Sequence, residues 1–495
     1  MVKIYQAAKG TRDKPQQLKQ IELQIERLDH EAQGIGFEQK RIVFVSGALP
    51  GERVKVQLTE QKDKSAKGKV VKVLQASPLR EAPLCKHFAD CGGCQLQYLS
   101  AEHQLELKQQ GVDQLIRHQT GLASLPWQTP LKSAGEGYRR KARIGVWFDK
   151  KTQQFTVGFR KANDKVITSI EHCLVLSPAL TSVFRVLQQQ LPKLQQGSAI
   201  THVEALDADG QVYLIVRHIR PLPESDRQAL IQAWPEAIWI GEAEPELYQH
   251  WQVGTAEPCY QLPALGLKLT FSAADFIQVN QSINQQMVQQ ALDWLNPQPD
   301  DQVLELYSGI GNFSLALAQR SKWVHGLEGV TTMVQRAEAN AVLNNLTNLS
   351  FSQADLHLAW PKAEWNKPKY QKVLLDPARA GAVGAVEQIA ALSPAQSNRV
   401  VLKKNGVIKI IAVSDIHYLE ADDDYVKLST AEGVFHKNKT MSFFERTLES
   451  NQFIRIHRSY IINLSQVSRI ELKEKDSYIV LLKSDIWLPV SKTGY

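Results

Sequence analysis

The spacing of hydrophobic and polar positions changes along the chain and divides it into four regions. In the first, residues 15–78, short apolar stretches alternate in steps of two and are broken by glycine and proline, as in RIVFVSGALPGERVKVQLTE. A period of two is typical of strands that bury one face. The pattern predicts a small β-barrel for this region.

Three other patterns follow the barrel. Residues 79–270 contain strand-like segments with interleaved basic and aromatic residues, GYRRKARIGVWFD and TVGFRKANDKVITSIEHC. From 271 to 396, buried strands such as QVLELYS and KVLLDPA alternate with helical stretches such as VQRAEANAVLNN, which is typical of a doubly wound parallel sheet. Residues 398–495 return to β patterning around one helix, MSFFERTLES. The prediction is an α/β and β multidomain protein.

Composition indicates where the protein is found and what class of partner it binds. No apolar run approaches the roughly 20 residues that span a bilayer, and the N-terminal MVKIYQAAKGTRDKPQQLKQ lacks the apolar stretch of a secretory signal. We therefore expect a cytoplasmic protein. Fifty-eight Lys and Arg against 51 Asp and Glu give a net charge of +7, which is compatible with a polyanionic partner.

The cysteines form one cluster and two separate positions. Cys85, Cys91 and Cys94 lie in CKHFADCGGC, Cys173 lies far downstream, and Cys259 stands apart. A reducing cytosol argues against disulfides, and soft thiolates suit zinc or iron–sulfur clusters. Zinc sites usually show two short paired motifs, so three clustered thiols with one remote ligand favour a [4Fe–4S] site. Cys259 is interpreted as an unrelated thiol.

A glycine-rich turn joins a strand to a helix in VLELYSGIGNFSLALA. Such turns bring backbone N–H groups close to a ligand. Glu328 ends the next strand, 23 residues beyond Glu305, where an acid can hold both ribose hydroxyls. Asp355 and Asp376 end the following two strands. A nicotinamide site and an S-adenosylmethionine (SAM) site both fit, and the lack of a GxGxxG motif favours SAM.

The strand GYRRKARIGVWFD predicts a nucleic-acid contact. Its basic side chains could hold phosphates while aromatic residues stack on unpaired bases. The alternative is an edge strand with a basic solvent face. The candidates are Arg139, Arg140, Lys141 and Arg143.

Together these motifs resemble the bacterial RNA 5-methyluridine methyltransferases, most closely their 23S ribosomal RNA type. The match rests on CKHFADCGGC with the later EHC, FSAADFIQVNQSINQQMV, LELYSGIGNF, GLEGV and VLLDPARAG, and it covers about residues 15–396. It implies a TRAM/OB-like RNA-binding barrel over 15–78, an iron–sulfur and RNA-binding β region over 79–270, and a C-terminally truncated SAM-binding domain over 271–396.

The resemblance also implies ligands and a substrate. SAM would donate a methyl group to uracil C5 of 23S ribosomal RNA, and Cys85, Cys91, Cys94 and Cys173 would ligate [4Fe–4S]. The implied cofactor-site residues are Gln278, Tyr307, Asn312, Glu328, Asp355 and Asp376.

Two catalytic groups of that family have no counterpart here. Family members attack uracil C6 with a cysteine thiolate and remove the C5 proton with a glutamate. The VSCNPAT-like turn that carries the thiol and the HxES-type base motif are both absent, because the family pattern stops near Gln396. If RVVLKK forms the fifth strand, the position of the cysteine falls near Asn405, and an amide cannot replace a thiolate.

The remainder resembles a second family, the LytTR DNA-binding domain of bacterial response regulators. The match rests on VSDIHYLEADDDYVKL, KTMSFFERTLESNQFIRIHRSYIINLSQVSRIEL and LPVSKTGY. It implies insertion of loops into the major groove of duplex DNA. The implied contacts are Tyr425, Lys427, His457, Arg458 and Lys492, with a purely structural role as the alternative for His457.

Three interpretations remain open on the sequence alone. The chain is a ribosomal RNA methyltransferase, a DNA-binding regulator, or a chimera of a truncated enzyme with a borrowed domain. The sheet would end with an unpaired edge and an uncovered apolar face, so we expect a marginally stable SAM domain and impaired methyl transfer.

Overall fold

The structure is a computed structural model, in which the described residues form two compact units. One unit comprises the chain up to Trp127 together with Thr156–Leu174, and the other comprises Gln128–Phe155 and Val175 onward. The described residues are 19–162, 164–245, 247–273, 275–358, 360, 370–379, 381–392, 399–404, 407–423, 425–448, 452–474 and 477–491. Among them no helix is both long and apolar enough to cross a membrane.

The first unit begins with a closed barrel in the strand order β1-β2-β3-β5-β4. Alternate residues such as Val43, Val45, Val54 and Val56 are fully buried in its centre, as the period of two predicts. The small β-barrel expected from the sequence is confirmed. Its strands are β1 Gln20–Leu28, β2 Gly34–Glu38, β3 Arg41–Ser46, β4 Arg53–Gln61 and β5 Ser65–Gln75.

A cysteine-bearing loop, one helix and a hairpin complete this unit. The helix is α1, Ala101–Thr120; the Ser100 side chain accepts from the backbone N–H of His103 at its start, and Gly121 ends it with a φ of 73°. A positive φ favours glycine at this position. The hairpin consists of β7 Gln154–Arg160, which extends two residues into the other unit's range, and β8 Ile167–Ser169.

The second unit opens with a mostly antiparallel sheet and a short hairpin. Its strand order includes β12-β11-β10-β9-β6, and β13 pairs with β14. The strands are β6 Lys141–Asp149, β9 Ile200–Ala208, β10 Gln211–His218, β11 Ile238–Glu244, β12 Leu247–His250, β13 Cys259–Leu262 and β14 Leu267–Thr270; the helices are α2 Val183–Gln190 and α3 Glu224–Ala233.

A four-stranded parallel sheet in the order β17-β16-β15-β18 follows. Val303 on β15 belongs to one apolar core, and its neighbours Leu304 and Leu306 belong to another. Both faces are therefore packed, as expected for a doubly wound sheet. Its elements are α4 Gln281–Leu295, β15 Gln302–Leu306, α5 Ser314–Ala318, β16 Trp323–Glu328, α6 Thr331–Leu343, β17 Leu349–Gln353, β18 Lys372–Leu375 and α7 Val383–Leu392.

The C-terminal region has its own apolar core and, besides a two-stranded pair described below, two sheets. The first is ordered β23-β22-β21-β25-β24 and the second β26-β27-β28. The elements are β21 Ile416–Asp422, β22 Tyr425–Thr430, β23 Gly433–Lys437, α8 Met441–Thr447, β24 Phe453–His457, β25 Tyr460–Asn463, β26 Val467–Glu474, β27 Ser477–Leu482 and β28 Trp487–Val490.

The condition on which the position near Asn405 depended is not met. The segment RVVLKK forms β19, Arg399–Lys404, which pairs antiparallel with β20, Val407–Ala412, and does not join the parallel sheet as a fifth strand. Val400 packs into the C-terminal apolar core beside Ile411 and Ile416. The inference that placed the missing nucleophile near Asn405 loses its basis, and Asn405 itself lies outside the described residues.

Candidate functional site

The glycine-rich turn after β15 is held open by residues in left-handed conformations. Tyr307, Gly309 and Gly311 have φ values of 64°, 55° and 91°. At Gly311 an added Cβ would lie 2.4 Å from the Leu315 side chain, so this position also requires close approach. The turn points its backbone toward the carboxyl end of β16.

Glu328 connects that turn to the neighbouring strand. Its Oε2 accepts a hydrogen bond from the Gly309 N–H at 3.0 Å, and its Oε1 accepts one from the Val330 N–H at 3.1 Å. Both oxygens are therefore oriented by backbone donors. Carboxylates keep further acceptor capacity beyond two such bonds, so Glu328 can also accept from a ligand's hydroxyls.

Parallel register brings the predicted acids to one edge of the sheet. Leu306 is level with Leu327 on β16 and with Leu375 on β18, so Tyr307, Glu328 and Asp376 lie level with one another at the carboxyl ends of three adjacent strands. Asp355 follows β17, which pairs with β16. Burial raises the pKa of Tyr307, and the charges of Asp355 and Glu328 add to that effect. Asp355 and Glu328 are therefore close enough to Tyr307 for their charges to affect its pKa.

Asn312 and Gln278 form hydrogen bonds with different parts of the second unit. Asn312 Oδ1 accepts from the Tyr260 hydroxyl at 2.8 Å, and its Nδ2 donates to Asn284 Oδ1 on α4 at 2.9 Å. The backbone carbonyl of Gln278 accepts from Arg140 Nε at 2.9 Å. The contacts of Asn312 therefore fix the turn against α4.

Glu305 was treated in the sequence only as a spacing mark, yet it is a perturbed acid of this site. It is 1% exposed and accepts a hydrogen bond from the Ser314 hydroxyl. Burial raises its pKa to about 8, and the nearby charges of Asp376 and Glu328 act in the same direction. Burial also raises the pKa of Asp376. The signal in the sequence was a glutamate inside the apolar strand VLEL.

The four predicted cysteine ligands lie in one neighbourhood of the first unit. Burial raises the pKa of Cys91, and the charges of Cys94, Cys173 and Cys85 raise it further. Among the described residues, no group of three or more His, Cys, Asp or Glu side chains is arranged to hold a metal ion. The four thiols are the donor type that an iron–sulfur cluster takes, and the cluster itself stays a prediction.

Backbone contacts fix the loop that carries these thiols. The Gly92 N–H donates to the Arg160 carbonyl at 2.9 Å, and a Cβ at Gly92 would lie 3.0 Å from that carbonyl oxygen. Cys91 forms a bridge with Lys161. Cys259 is elsewhere, on β13 opposite Thr270.

The four basic candidates of β6 and its approach divide into structural and exposed positions. Arg140 is 2% exposed, and its guanidinium lies 4.6 Å from the centre of the Tyr260 ring. Lys141 Nζ donates to the carbonyls of Ala273 and Asp275 at 2.7 and 3.0 Å. Arg140 is thus buried and Lys141 is held by backbone carbonyls, because alternation identifies a face of a strand but not how deeply that face is covered; a phosphate contact of these two side chains stays a prediction.

Arg139 and Arg143 differ from each other as well. Arg139 Nε donates to the Lys141 carbonyl at 3.1 Å. Arg143 is exposed, and its Nη2 lies 3.2 Å from Nδ1 of His202 on β9. Arg143 is thus the member of the set that lies on an open surface.

The predicted DNA-facing residues that the structure describes lie on β22 and at the end of β24. Tyr425 is 47% exposed, while Lys427 forms an ion pair with Asp422 at 3.1 Å. His457 Nδ1 accepts from the Ser459 N–H at 3.2 Å, which gives it a structural contact. Arg458 is exposed, and Lys492 lies outside the described residues.

Comparison with known proteins identifies three regions and one family. Residues 16–71 match the TRAM domain, 261–391 match the tRNA (uracil-5-)-methyltransferase family, and 406–495 match the LytTr DNA-binding domain. The 23S rRNA (uracil(1939)-C(5))-methyltransferase RlmD of Vibrio cholerae is 44% identical over 371 residues, which are 74% of this chain and 83% of that protein. This chain belongs to the RNA uracil-C5 methyltransferase family.

A further relative supports this assignment, and a solved structure shows the fold. The RlmD protein of Aliivibrio fischeri strain MJ11 is 41% identical over 376 residues, 76% of this chain and 85% of that protein. The Pyrococcus abyssi tRNA (uracil-54, C5)-methyltransferase, solved with S-adenosyl-L-homocysteine, gives a TM-score of 0.55 at 19% identity, covering 75% of this chain and 88% of that one. The fold is therefore that of a SAM-dependent methyltransferase of this family, with a LytTR domain added.

Proposed function

We propose that this chain is an RNA-binding and SAM-binding member of the uracil-C5 methyltransferase family whose methyl transfer is impaired. One observation carries the proposal. Strand β18 is the last described strand of the parallel sheet, and the next described strand, β19, pairs with β20 in the C-terminal region. The segment that should carry the nucleophile and the base is replaced at this join.

The cofactor site is supported by the residues at the carboxyl edge of β15 to β18. SAM supplies a methyl group attached to a cationic sulfur. Glu328 would accept hydrogen bonds from ribose hydroxyls, as its two backbone-oriented oxygens allow. Tyr307, Asp355 and Asp376 would surround the remainder of the molecule, with Gln278 and Asn312 supporting the wall.

Among the residues that the structure describes, no thiol lies at this edge of the sheet. Activation of uracil C5 requires a nucleophile at C6 and a base for the C5 proton. No cysteine follows Cys259 in the sequence, and Cys259 pairs with Thr270 on a separate hairpin. The chain can therefore bind both reactants without a thiolate to join them.

The uncovered part of the sheet predicts low stability for this domain. Leu375 at the end of β18 is 38% exposed, and Val383 and Val386 on α7 are 60% and 43% exposed. Exposed apolar side chains beside a terminal strand favour association and local opening. We expect a marginally stable SAM domain.

Cys85, Cys91, Cys94 and Cys173 are proposed to hold a [4Fe–4S] cluster. Their mutual electrostatic effect on Cys91 and the all-thiolate chemistry support this assignment. The ligand role predicts bound iron and acid-labile sulfide in protein purified without oxygen.

The C-terminal region is proposed to bind duplex DNA. This second function is favoured by its match to the LytTr DNA-binding domain over 406–495. Tyr425 and Arg458 are its most exposed candidates, and Lys427 can contribute charge once Asp422 is displaced.

The experiment combines binding and turnover on the same anaerobic preparation. SAM binding is measured by calorimetry, and tritium transfer to uracil C5 is measured on unmodified 23S ribosomal RNA. We expect SAM binding without label, and Asn405→Cys is expected to give no label, because β19 and β20 pair with each other. Label from the parent chain would contradict the impairment, and absence of SAM binding would contradict the proposed site.

A further inference from the structure

A tryptophan on one face of β6 is exposed to solvent. Ala142, Ile144 and Val146 are 6%, 0% and 6% exposed, so the alternate residues of this strand point to the opposite face. Trp147 on that face is 62% exposed. A large apolar ring in this position is not explained by the core of the sheet.

The strand holds this ring in a fixed place. The next residue, Phe148, packs against Phe155 with ring centres 4.7 Å apart, and β6 is paired along Lys141 to Gly145 with β9. Trp147 therefore sits on an anchored strand end, so a ligand that stacks on it loses little entropy in ordering the protein.

A cationic group shares the same face. Arg143 is level with Glu204 on β9, and Gly145, without a side chain, lies between Arg143 and Trp147 and is level with His202. The hydrogen bond to His202 Nδ1 uses one of the five N–H donors of the guanidinium. Along a strand, Arg143 and Trp147 are about 13 Å apart, which is the span of a few nucleotides.

We propose that Trp147 and Arg143 form a binding site for single-stranded RNA, in which an unpaired base stacks on the indole and a neighbouring phosphate contacts the guanidinium. The inference rests on the proposed RNA-binding function and assigns part of it to this face. The chemistry selects a nucleic acid strand: an exposed indole accepts any base, and the chain carries a net charge of +7. Glu204 beside Arg143 reduces the local charge, so stacking is the larger contribution.

The test measures the affinity of the full-length holoprotein for a fluorescein-labelled single-stranded RNA of mixed sequence by anisotropy. Trp147→Ala is expected to raise Kd about tenfold, and Trp147→Phe by a smaller factor because a ring is retained. Trp294→Ala is the matched control, since Trp294 is 64% exposed on α4 outside this face; its Kd should stay that of the parent.

A second measurement separates the two residues. Arg143→Gln should lower the slope of log Kd against log salt by about 0.7, as expected for one lost phosphate contact with a single strand, while Trp147→Ala should leave the slope unchanged. Ultraviolet crosslinking should attach RNA to the peptide that contains Trp147.

Three results would overturn the inference. If the parent binds RNA and Trp147→Ala binds equally well, this site is wrong and the proposed function stands. If the parent binds no RNA, both fail. If Trp147→Ala changes self-association in sedimentation and not RNA affinity, the face is an interface between copies of the chain.

Discussion

The backbone N–H of Gly309 donates a hydrogen bond to Oε2 of Glu328 at 3.0 Å, across two adjacent parallel strands. One carboxylate thus orients the glycine-rich turn and faces the proposed ribose position. The conformation of the turn and the affinity for cofactor should therefore change together when this side chain changes.

The first prediction concerns this carboxylate. Glu328→Gln should weaken SAM binding about 10- to 100-fold, because a hydrogen bond to a charged group contributes about 1.5–3 kcal/mol. Calorimetry with SAM measures the change. Glu338→Gln, at an exposed position of α6, is the control, and equal binding by both variants would contradict the assignment of Glu328.

The second prediction concerns the buried acid Glu305, whose pKa burial raises to about 8 from an ordinary 4.5. Between these two values the folded state binds more protons than the unfolded state, so the free energy of unfolding falls as pH rises from about 4.5 to 8 and is constant above. Glu305→Gln should remove this decline and stabilise the domain at pH 9 by at most about 5 kcal/mol, the free energy that corresponds to the difference between the two pKa values.

Thermal unfolding followed from pH 5 to pH 9 checks this expectation, using the transition that S-adenosylhomocysteine raises. The parent should lose stability across that range, and the variant should lose less. A parallel loss in parent and variant would show that Glu305 is not the group responsible.

The third prediction uses two adjacent glycines of the cysteine loop. A Cβ at Gly92 would meet the Arg160 carbonyl oxygen at 3.0 Å and the Ala162 backbone at 3.1 Å, whereas a Cβ at Gly93 would meet only Cys91 Sγ at 3.4 Å. Gly92→Ala should therefore lower iron and sulfide content by more than half, and Gly93→Ala should retain most of both. Iron and sulfide analysis of anaerobic preparations measures the difference. An equal loss of iron and sulfide in both variants would contradict the steric explanation.

The fourth prediction tests where β19 belongs. Val400 is 8% exposed within the C-terminal core, so Val400→Ala should destabilise that region by about 1–2 kcal/mol, because a buried aliphatic group is truncated. SAM affinity should not change. Leu304→Ala, in the core of the parallel sheet, should destabilise that sheet and weaken SAM binding, and it should leave the C-terminal region unchanged. Hydrogen-exchange rates in β21 and β22 measure the stability of the C-terminal region, and those in β15 and β16 measure that of the parallel sheet.

The sequence predicted those features that depend on period and on strand ends. Val43 and Val45 alternate into the barrel, and Glu328 and Asp355 end parallel strands, so local pattern sufficed for the barrel and the acid edge. The burial of Arg140 and the contacts of Lys141 could not be predicted, because alternation does not report how much chain covers a face. The sheet that RVVLKK joins could not be predicted, because a short apolar strand fits either sheet and its partner depends on residues far along the chain.

The start of β19 lies close in sequence to the end of α7. Residues 393–398 separate the end of α7 from Arg399, and such a segment spans at most about 25 Å when extended. Binding on one side of so short a connection gives the other side a high effective concentration. RNA held by the methyltransferase half and DNA held by the C-terminal region would be confined to one small volume, so the chain would act as a bivalent nucleic-acid tether whether or not it transfers a methyl group.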